Sequence, residues 1–342
     1  MHWTRTLQLV EVHCEGESGK VVTSGLTDIP GNTMAQKLAW LNAPGPGQEL
    51  REFLVLEPRG SPQSSVNLLT PPTHPQADAG IIILQADQAH AMSGSNAICV
   101  VTALLETGAI EMVEPHSVVT LDTAAGLVRA SASCKGGRCK RVSLDMVPAY
   151  VETLDHKLTT REWGDMTVDI CFGGVFYAIV DVQQLGLKIT PRLARNLVDA
   201  GMTLKALCNR NIKVTHPSIP EINDIAYVMF RDRLQRGFVR TCTTLWPGRV
   251  DRSPCGTGSS ANLATQYARG ELGIGDRSRS KSIIGSEFEI ELLEIEELNG
   301  RILVMPRVSG RAWIYGIQQM GLDPTDPFPN GFSLSDTWGP AL

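Results

Sequence analysis

The hydrophobic and polar positions of this chain alternate in short runs, and only a few segments have helical spacing. Apolar or alternating runs bounded by glycine, proline or asparagine predict β-strands. In the first half of the chain the predicted strands cover residues 7–13, 20–24, 53–56, 79–84, 118–123, 126–130 and 142–146. In the second half they cover residues 167–172, 176–181, 225–230, 239–245, 288–292, 301–304 and 312–317.

Helical spacing is confined to four segments, most of which follow a capping residue. We interpret Ser259 as the N-cap of the last helix, and the proline-glycine run at 44–47 as a break in regular structure. The second helix is apolar on all sides, so it must be wrapped by sheet. The predicted helices cover residues 34–41, 96–107, 191–198 and 259–270.

One motif occurs twice. The pair Ser93-Gly94 recurs 162 positions later as Cys255-Gly256, and the glycines that end the helices after each pair recur at the same interval. This pattern is typical of two pseudo-symmetric halves that each present one reactive side chain to a shared cleft, although two unrelated helix caps would look the same. With 342 residues the chain is long enough for two domains. We expect a first half at 1–150, joined by the C-terminal segment 321–342, and a second half at 151–320.

The second copy of the motif has the composition of a reactive loop. Proline and glycine in residues 251–258 let the backbone come close to a ligand. A helix N-terminus binds carboxylates and lowers the pKa of a nearby thiol, and the thiolate is the reactive form. These features indicate that Cys255 is reactive. The alternative is that it is simply one of eight cysteines and buried.

Composition excludes several classes of function. The chain has 31 basic and 36 acidic residues, which gives no electrostatic footprint for nucleic acid and favours a small-molecule ligand. No apolar run is long enough to cross a bilayer and no signal-peptide core is present, so we expect a soluble, cytoplasmic protein. Cys134 and Cys139 have no second pair at zinc-like spacing, and no nucleotide-binding motif occurs. We expect reduced thiols and no metal or other cofactor.

Six motifs in order resemble those of the proline racemase family, which includes 4-hydroxyproline epimerases and trans-3-hydroxy-L-proline dehydratases. The resemblance covers nearly the whole chain, and the motif around Cys255 is the most specific. The motifs lie at residues 12–17, 30–34, 92–96, 172–178, 251–258 and 326–328.

The resemblance implies the diaminopimelate-epimerase-like α/β fold, in which two similar halves each curl a sheet around a central buried helix and the active site lies between them. It also implies catalysis without metal, pyridoxal phosphate or nucleotide, by two side chains that face opposite sides of the substrate Cα. By position, Ser93 and Cys255 would be catalytic, Gly94, Ser95, Gly256 and Thr257 would bind the substrate carboxylate, and Asp251 would bind the ring nitrogen.

The sequence departs from the family at the first site. Racemases and epimerases of the family have Cys-Gly-His where this chain has Ser93-Gly94-Ser95. Inversion at Cα needs a competent acid/base on both faces, and a hydroxyl is poorly matched to that work at neutral pH. Eliminating water from a 3-hydroxyproline needs only one good base and a proton donor. We therefore expect a hydro-lyase, trans-3-hydroxy-L-proline dehydratase, that forms pyrroline-2-carboxylate and has at most weak epimerase activity.

Several points remain open from the residues alone. A 4-hydroxyproline 2-epimerase, a proline racemase and a non-catalytic amino-acid-binding protein are alternatives, and either Ser93 or Cys255 could remove the Cα proton. Asp251 could be a local turn former instead of a ligand. For His13 and His90 the expected role is that of a structural histidine, and for Glu17 that of a solvated glutamate. A homodimer is one possible assembly.

Overall fold

The helices and strands are those of a computed structural model that describes residues 2–220 and 222–334. None of the helices in this part of the chain is long and apolar enough to cross a membrane. The α-helices are α1 (Met34–Asn42), α2 (Pro46–Val55), α3 (Gly94–Glu106), α4 (Ala194–Asn211) and α5 (Gly256–Ala268), and short 3-10 helices cover Val182–Leu185 and Pro191–Leu193.

The strands include all but one of the predicted strand segments and add several others. They are β1 (Arg5–Cys14), β2 (Glu17–Ser18), β3 (Lys20–Ser24), β4 (Val66–Thr70), β5 (Ala79–Leu84), β6 (Ala89–His90), β7 (His116–Thr123), β8 (Gly126–Cys134), β9 (Cys139–Asp145), β10 (Tyr150–Thr160), β11 (Gly164–Phe172), β12 (Phe176–Asp181), β13 (Ile225–Gln235), β14 (Phe238–Leu245), β15 (Arg249–Val250), β16 (Arg277–Lys281), β17 (Glu287–Leu298), β18 (Arg301–Gly310) and β19 (Ala312–Leu322).

The chain divides into two compact units. The first contains the residues up to Leu144 and those from Gly310 onward, and the second is Asp145–Ser309. The sequence-based division placed the returning segment at 321–342, of which residues 335–342 lie outside the described residues.

Each unit has a mixed sheet with the same succession of pairings. In the first unit the order is β19-β1-β3-β4-β5-β7-β8-β9. In the second it is β10-β11-β12-β13-β14-β16-β17-β18. In both orders the third and fourth strands are parallel, as are the fifth and sixth, and the other neighbours are antiparallel.

A buried helix lies against each sheet, as its apolar sequence requires. In α3 every residue from Gly94 to Leu105 is buried, and this helix contacts β1, β3, β8 and β19. The helix α5 contacts the strands at the corresponding places of the second order, β10, β11, β12 and β17. The predicted fold class, a mixed α/β structure in which curled sheet surrounds a central helix, is confirmed.

The remaining long helices complete the apolar core of each unit. Helices α1 and α2 pack on strands of the first unit, and α4 packs on strands of the second. Fully burying one aliphatic or aromatic side chain contributes roughly 1.5–3 kcal/mol. These helices therefore stabilise the sheets that position α3 and α5.

Two predictions of local structure are wrong. Residues 44–47 do not end regular structure, and 53–56 is not a strand, because α2 begins at Pro46. Proline is well tolerated at the first position of a helix, where its missing N–H is not needed. The spacing of Leu50, Phe53 and Leu54 then places three buried side chains on one face of the helix.

The second error concerns where α5 begins. The helix starts at Gly256, three residues before the predicted cap, so Cys255 and not Ser259 is the N-cap residue. Glycine is a poor helix former, and for that reason the sequence pattern did not include Gly256 and Gly258. As a result, the thiol lies directly at the helix N-terminus.

A buried ion network connects α5 with the second sheet. The Arg231 side chain, on β13, is 3% exposed and donates to Asp169 at 3.0 Å and to Asp181 at 2.6 Å. The same guanidinium donates to Asn262 Oδ1 and Thr265 Oγ1 of α5, both at 3.0 Å. One cation thus satisfies acceptors on two strands and on the helix.

We expect Arg231→Met to lower the free energy of unfolding by about 3–5 kcal/mol, because it removes the more deeply buried of the two arginines that pair with the buried Asp169 carboxylate. Arg195→Met is the control, since Arg195 and Asp199 form an exposed pair one helical turn apart worth less than about 1 kcal/mol. Urea denaturation of both variants measures the difference. Equal losses would contradict the proposed importance of the network.

Candidate functional site

The backbone at Cys255 is strained. Its φ is +67°, in the region that favours glycine. Hydrogen bonds hold the loop in this conformation: Ser253 Oγ accepts from the Cys255 N–H at 3.1 Å, and Thr241 Oγ1 and Ser259 Oγ donate to the Pro254 carbonyl at 3.1 and 3.2 Å. Such strain persists only where the surroundings impose it, and it is common at active sites.

The Cys255 thiol lies in a buried hydrogen-bonded cluster. Its Sγ is 3.3 Å from Tyr177 Oη, which is also 2.7 Å from Thr257 Oγ1. Burial raises the pKa of Cys255 to about 12, the charge of Asp251 adds to the rise, and hydrogen bonds from Tyr177 and the Gly258 N–H act against it. The sequence analysis expected a lowered pKa. That expectation is wrong, because desolvation outweighs the effect of the helix N-terminus.

Asp251 forms the local turn that the alternative interpretation described. Its Oδ1 accepts a 2.8 Å hydrogen bond from the Ser253 N–H, and its side chain is buried. This bond fixes the start of the reactive loop. The carboxylate is also close enough to Cys255 to influence the pKa of the thiol.

The first site has a different arrangement of polar groups. Ser93 is the N-cap residue of α3, with extended backbone and no capping hydrogen bond from its side chain. The Asn96 Nδ2 group donates to Ser93 Oγ at 2.9 Å, and Ser95 Oγ is 3.4 Å from the same oxygen. The Ser93 oxygen therefore accepts a hydrogen bond from Asn96, although no basic side chain lies nearby in sequence.

The residues predicted to bind a carboxylate all lie in the first turn of a helix. In α3 the first intrahelical bond is from Ala97 N to Ser93 O, and in α5 it is from Ser259 N to Cys255 O. The N–H groups of Gly94, Ser95, Gly256 and Thr257 precede these bonds, so they have no acceptor within their own helices. The role assigned to these four residues stays a prediction.

Sequence reasoning missed the hydrogen-bond partners of both Ser93 and Cys255. Tyr177 and Asn96 lie within two of the recognised motifs, but no role was assigned to either. Tyr177 is 78 residues from Cys255, a separation at which sequence spacing gives no signal of contact. Asn96 is only three residues from Ser93, so the helical spacing could have indicated this pair.

The other residues considered from the sequence include His13, Glu17, Cys134 and Cys139. His13 stacks on Trp313 with ring centroids 5.2 Å apart, whereas Glu17 is buried and not solvated as expected. Cys134 and Cys139 are opposite one another on β8 and β9. In the described part of the chain no three His, Cys, Asp or Glu side chains are grouped closely enough to hold a metal ion.

The chain is similar over its full length to proteins named for hydroxyproline epimerisation. It is 58% identical over 340 residues to a 4-hydroxyproline 2-epimerase from Agrobacterium fabrum, with 99% of each chain covered. It also matches the crystal structure of a hydroxyproline epimerase from Agrobacterium vitis with bound trans-4-hydroxy-L-proline, at 58% identity and a TM-score of 0.94, with 99% of each chain covered.

These relatives overturn the expected dehydratase activity. The prediction was wrong because it ranked a hydroxyl far below a thiol on their properties in water. In the folded chain two effects act to reduce that difference, since burial raises the pKa of Cys255 to about 12 and Asn96 donates to the Ser93 oxygen. Serine at the first site is therefore no argument against inversion.

The fold and the family are shown by two further comparisons. A phenazine biosynthesis protein of the PhzF family from Bacillus anthracis shares the fold, with a TM-score of 0.57 at 10% identity over 93% of this chain and 99% of that one. The family model described as proline racemase matches residues 9–333. The chain thus belongs to the proline racemase family.

Proposed function

We propose that this protein is a 4-hydroxyproline 2-epimerase, an isomerase that inverts Cα of trans-4-hydroxy-L-proline. The observation that carries the proposal is the 58% identity, over the full chain, to a relative of that name. The bound trans-4-hydroxy-L-proline of the similar Agrobacterium vitis structure supports the same substrate. A cytoplasmic location and a homodimer stay predictions.

Ser93 and Cys255 are the proposed catalytic pair. Inversion requires that one group removes the Cα proton from one face and another returns a proton to the opposite face. Each residue would act as base toward one epimer and as acid toward the other. Their side chains are suited to this role because each lies at the N-terminus of a buried helix.

The first turns of α3 and α5 are the proposed carboxylate site. Loss of the Cα proton moves negative charge onto the substrate carboxylate, and helix N–H donors stabilise that charge. Gly94 and Gly256 have no side chain to obstruct this approach, and Ser95 and Thr257 add hydroxyls next to the reactive groups. Asp251 is proposed to pair with the cationic ring nitrogen.

The protonation state of the Cys255 thiol determines whether it can act first as an acid or as a base. With a pKa of about 12, Cys255 is protonated at neutral pH, and the positive ring nitrogen of a bound substrate would favour the thiolate. Tyr177 remains protonated, because burial raises its pKa well above the usual value. Its hydroxyl therefore keeps a proton that it can donate to Cys255 or Thr257.

The protein should convert trans-4-hydroxy-L-proline to its Cα epimer until the two epimers reach equilibrium. With trans-3-hydroxy-L-proline it should form little or no imine. Optical rotation and proton NMR follow the two reactions in parallel, with L-proline as a third substrate. Consumption of trans-3-hydroxy-L-proline alone, with an imine product, would reject the epimerase proposal.

Replacing Ser93→Ala or Cys255→Ala should each lower the inversion rate by roughly 10²–10⁴-fold, since each removes one acid/base group. In deuterated water each variant should still exchange the Cα proton of one epimer, because the remaining residue can remove and return a proton on the same face. The two variants should retain exchange of opposite epimers. Retention of inversion by either variant would remove that residue from the mechanism.

Alkylation of Cys255 by iodoacetamide should be slow at pH 7 and accelerate about tenfold per pH unit up to pH 10. The reason is that only the thiolate reacts and its fraction rises with pH until the pKa, which is raised to about 12. Peptide mapping by mass spectrometry distinguishes Cys255 from the other cysteines. A rate that levels off below pH 9, as for an ordinary thiol, would show that the pKa is not raised.

A further inference from the structure

A buried chain of amide hydrogen bonds ends at the Ser93 hydroxyl. Asn96 Nδ2 donates to Ser93 Oγ at 2.9 Å, and Asn67 Nδ2 on β4 donates to Asn96 Oδ1 at 3.0 Å. Asn67 Nδ2 also donates to the Lys20 carbonyl at the start of β3, at 3.2 Å. The two asparagines are almost fully buried, with 0% and 2% of their surfaces exposed.

The direction of these hydrogen bonds is determined by the backbone. Asn67 faces two acceptors, the Lys20 carbonyl and Asn96 Oδ1, so it must present its nitrogen to both. Because Asn96 accepts from Asn67 through its oxygen, the remaining nitrogen is the atom that reaches Ser93. The position of the Lys20 carbonyl therefore determines that Ser93 Oγ accepts a hydrogen bond from Asn96.

The Asn96 side chain is closely packed against Gly19. A Cβ added at Gly19 would lie 3.0 Å from Asn96 Oδ1 and 2.8 Å from Cys99 Sγ, so only glycine fits over this part of α3. Asn67 Oδ1 makes no hydrogen bond within the part of the chain that the structure describes. An apolar residue would fill the Asn67 position without a buried amide, which indicates that the amide serves Ser93 and not packing alone.

We propose that Asn96 and Asn67 are positioning residues that make the Ser93 hydroxyl competent as an acid/base. This inference rests on the proposed epimerase function. When Ser93 transfers its proton to the substrate carbon, the negative oxygen left behind keeps the Asn96 N–H donor. Asn67 polarises that donor by binding the carbonyl end of the same amide. When Ser93 next removes a proton, the same donor holds the oxygen in place.

A purely structural role makes different predictions from a role in proton transfer. If the amides only join β3, β4 and α3, their loss should lower stability and affect every reaction of the enzyme alike. If they serve Ser93, their loss should affect the proton transfers of Ser93 and spare those of Cys255. The identity of residue 93 should then decide how large the loss is.

The test uses Asn96→Asp in the full-length protein, because aspartate has the same shape but no N–H to donate. We expect kcat for inversion of trans-4-hydroxyproline to fall at least about 10²-fold, with KM within about threefold. Cα exchange in deuterated water should be retained for the epimer that Cys255 serves and lost for the one that Ser93 serves. Asn67→Leu should give a smaller loss of the same kind, about tenfold.

The decisive control is the same substitution in a Ser93→Cys background. A thiol ionises far more readily than a hydroxyl and is a weaker hydrogen-bond acceptor. In that background Asn96→Asp should therefore lower kcat for inversion by less than about threefold. Asn42→Asp is the matched structural control, since Asn42 bonds both backbone groups of Ala89. It should lower thermal stability and leave kcat within about threefold.

Three outcomes would overturn the proposal. The first is a wild-type rate of inversion in Asn96→Asp, and the second is an equal loss in the serine and cysteine backgrounds. The third is a wild-type enzyme that neither inverts hydroxyproline nor exchanges its Cα proton, which would reject the proposed function together with the positioning role of Asn96 and Asn67. The first two leave the proposed function intact, so the two failures are distinguishable.

Discussion

Both units depend on one constraint, the burial of a helix N-terminus. The first N–H groups of α3 and α5 have no partners within their helices, and surrounding sheet limits the water that could satisfy them. The sequence meets this constraint with glycines and with short polar side chains at the start of each helix. The same donors suit an anionic ligand, so the requirement of the fold and the chemistry of the proposed substrate coincide.

The surroundings of Ser93 and Cys255 change the properties that their residue types alone would suggest. A thiol and a hydroxyl differ widely in water, yet burial raises the pKa of Cys255 while an amide donor supports Ser93. Both effects act in the direction that reduces the difference in proton affinity between the two groups. Reasoning from the residue types alone led to elimination instead of inversion for this reason.

Much of the fold could be predicted from the sequence, because alternation and capping are local signals. The buried helix α3 and most strands were found in this way, whereas α2 was missed because Pro46 suggested a break. The repeated motif drew attention to Ser93 and Cys255, whose catalytic role stays a prediction. Tyr177 and Asn67 could not be found, because their contacts join residues 78 and 29 positions apart and depend on the sheet pairing.

The backbone at Cys255 has a consequence for evolution and for engineering. Its φ of +67° is one that glycine adopts without cost, so selection for stability alone would place glycine there. A thiol at this position is what the proposed catalytic role would require, in the usual compromise between stability and activity. Attempts to make this protein more heat-resistant by relieving strained positions should leave Cys255 unchanged. Asn299, with a φ of +53° in the turn between β17 and β18, is a safer choice.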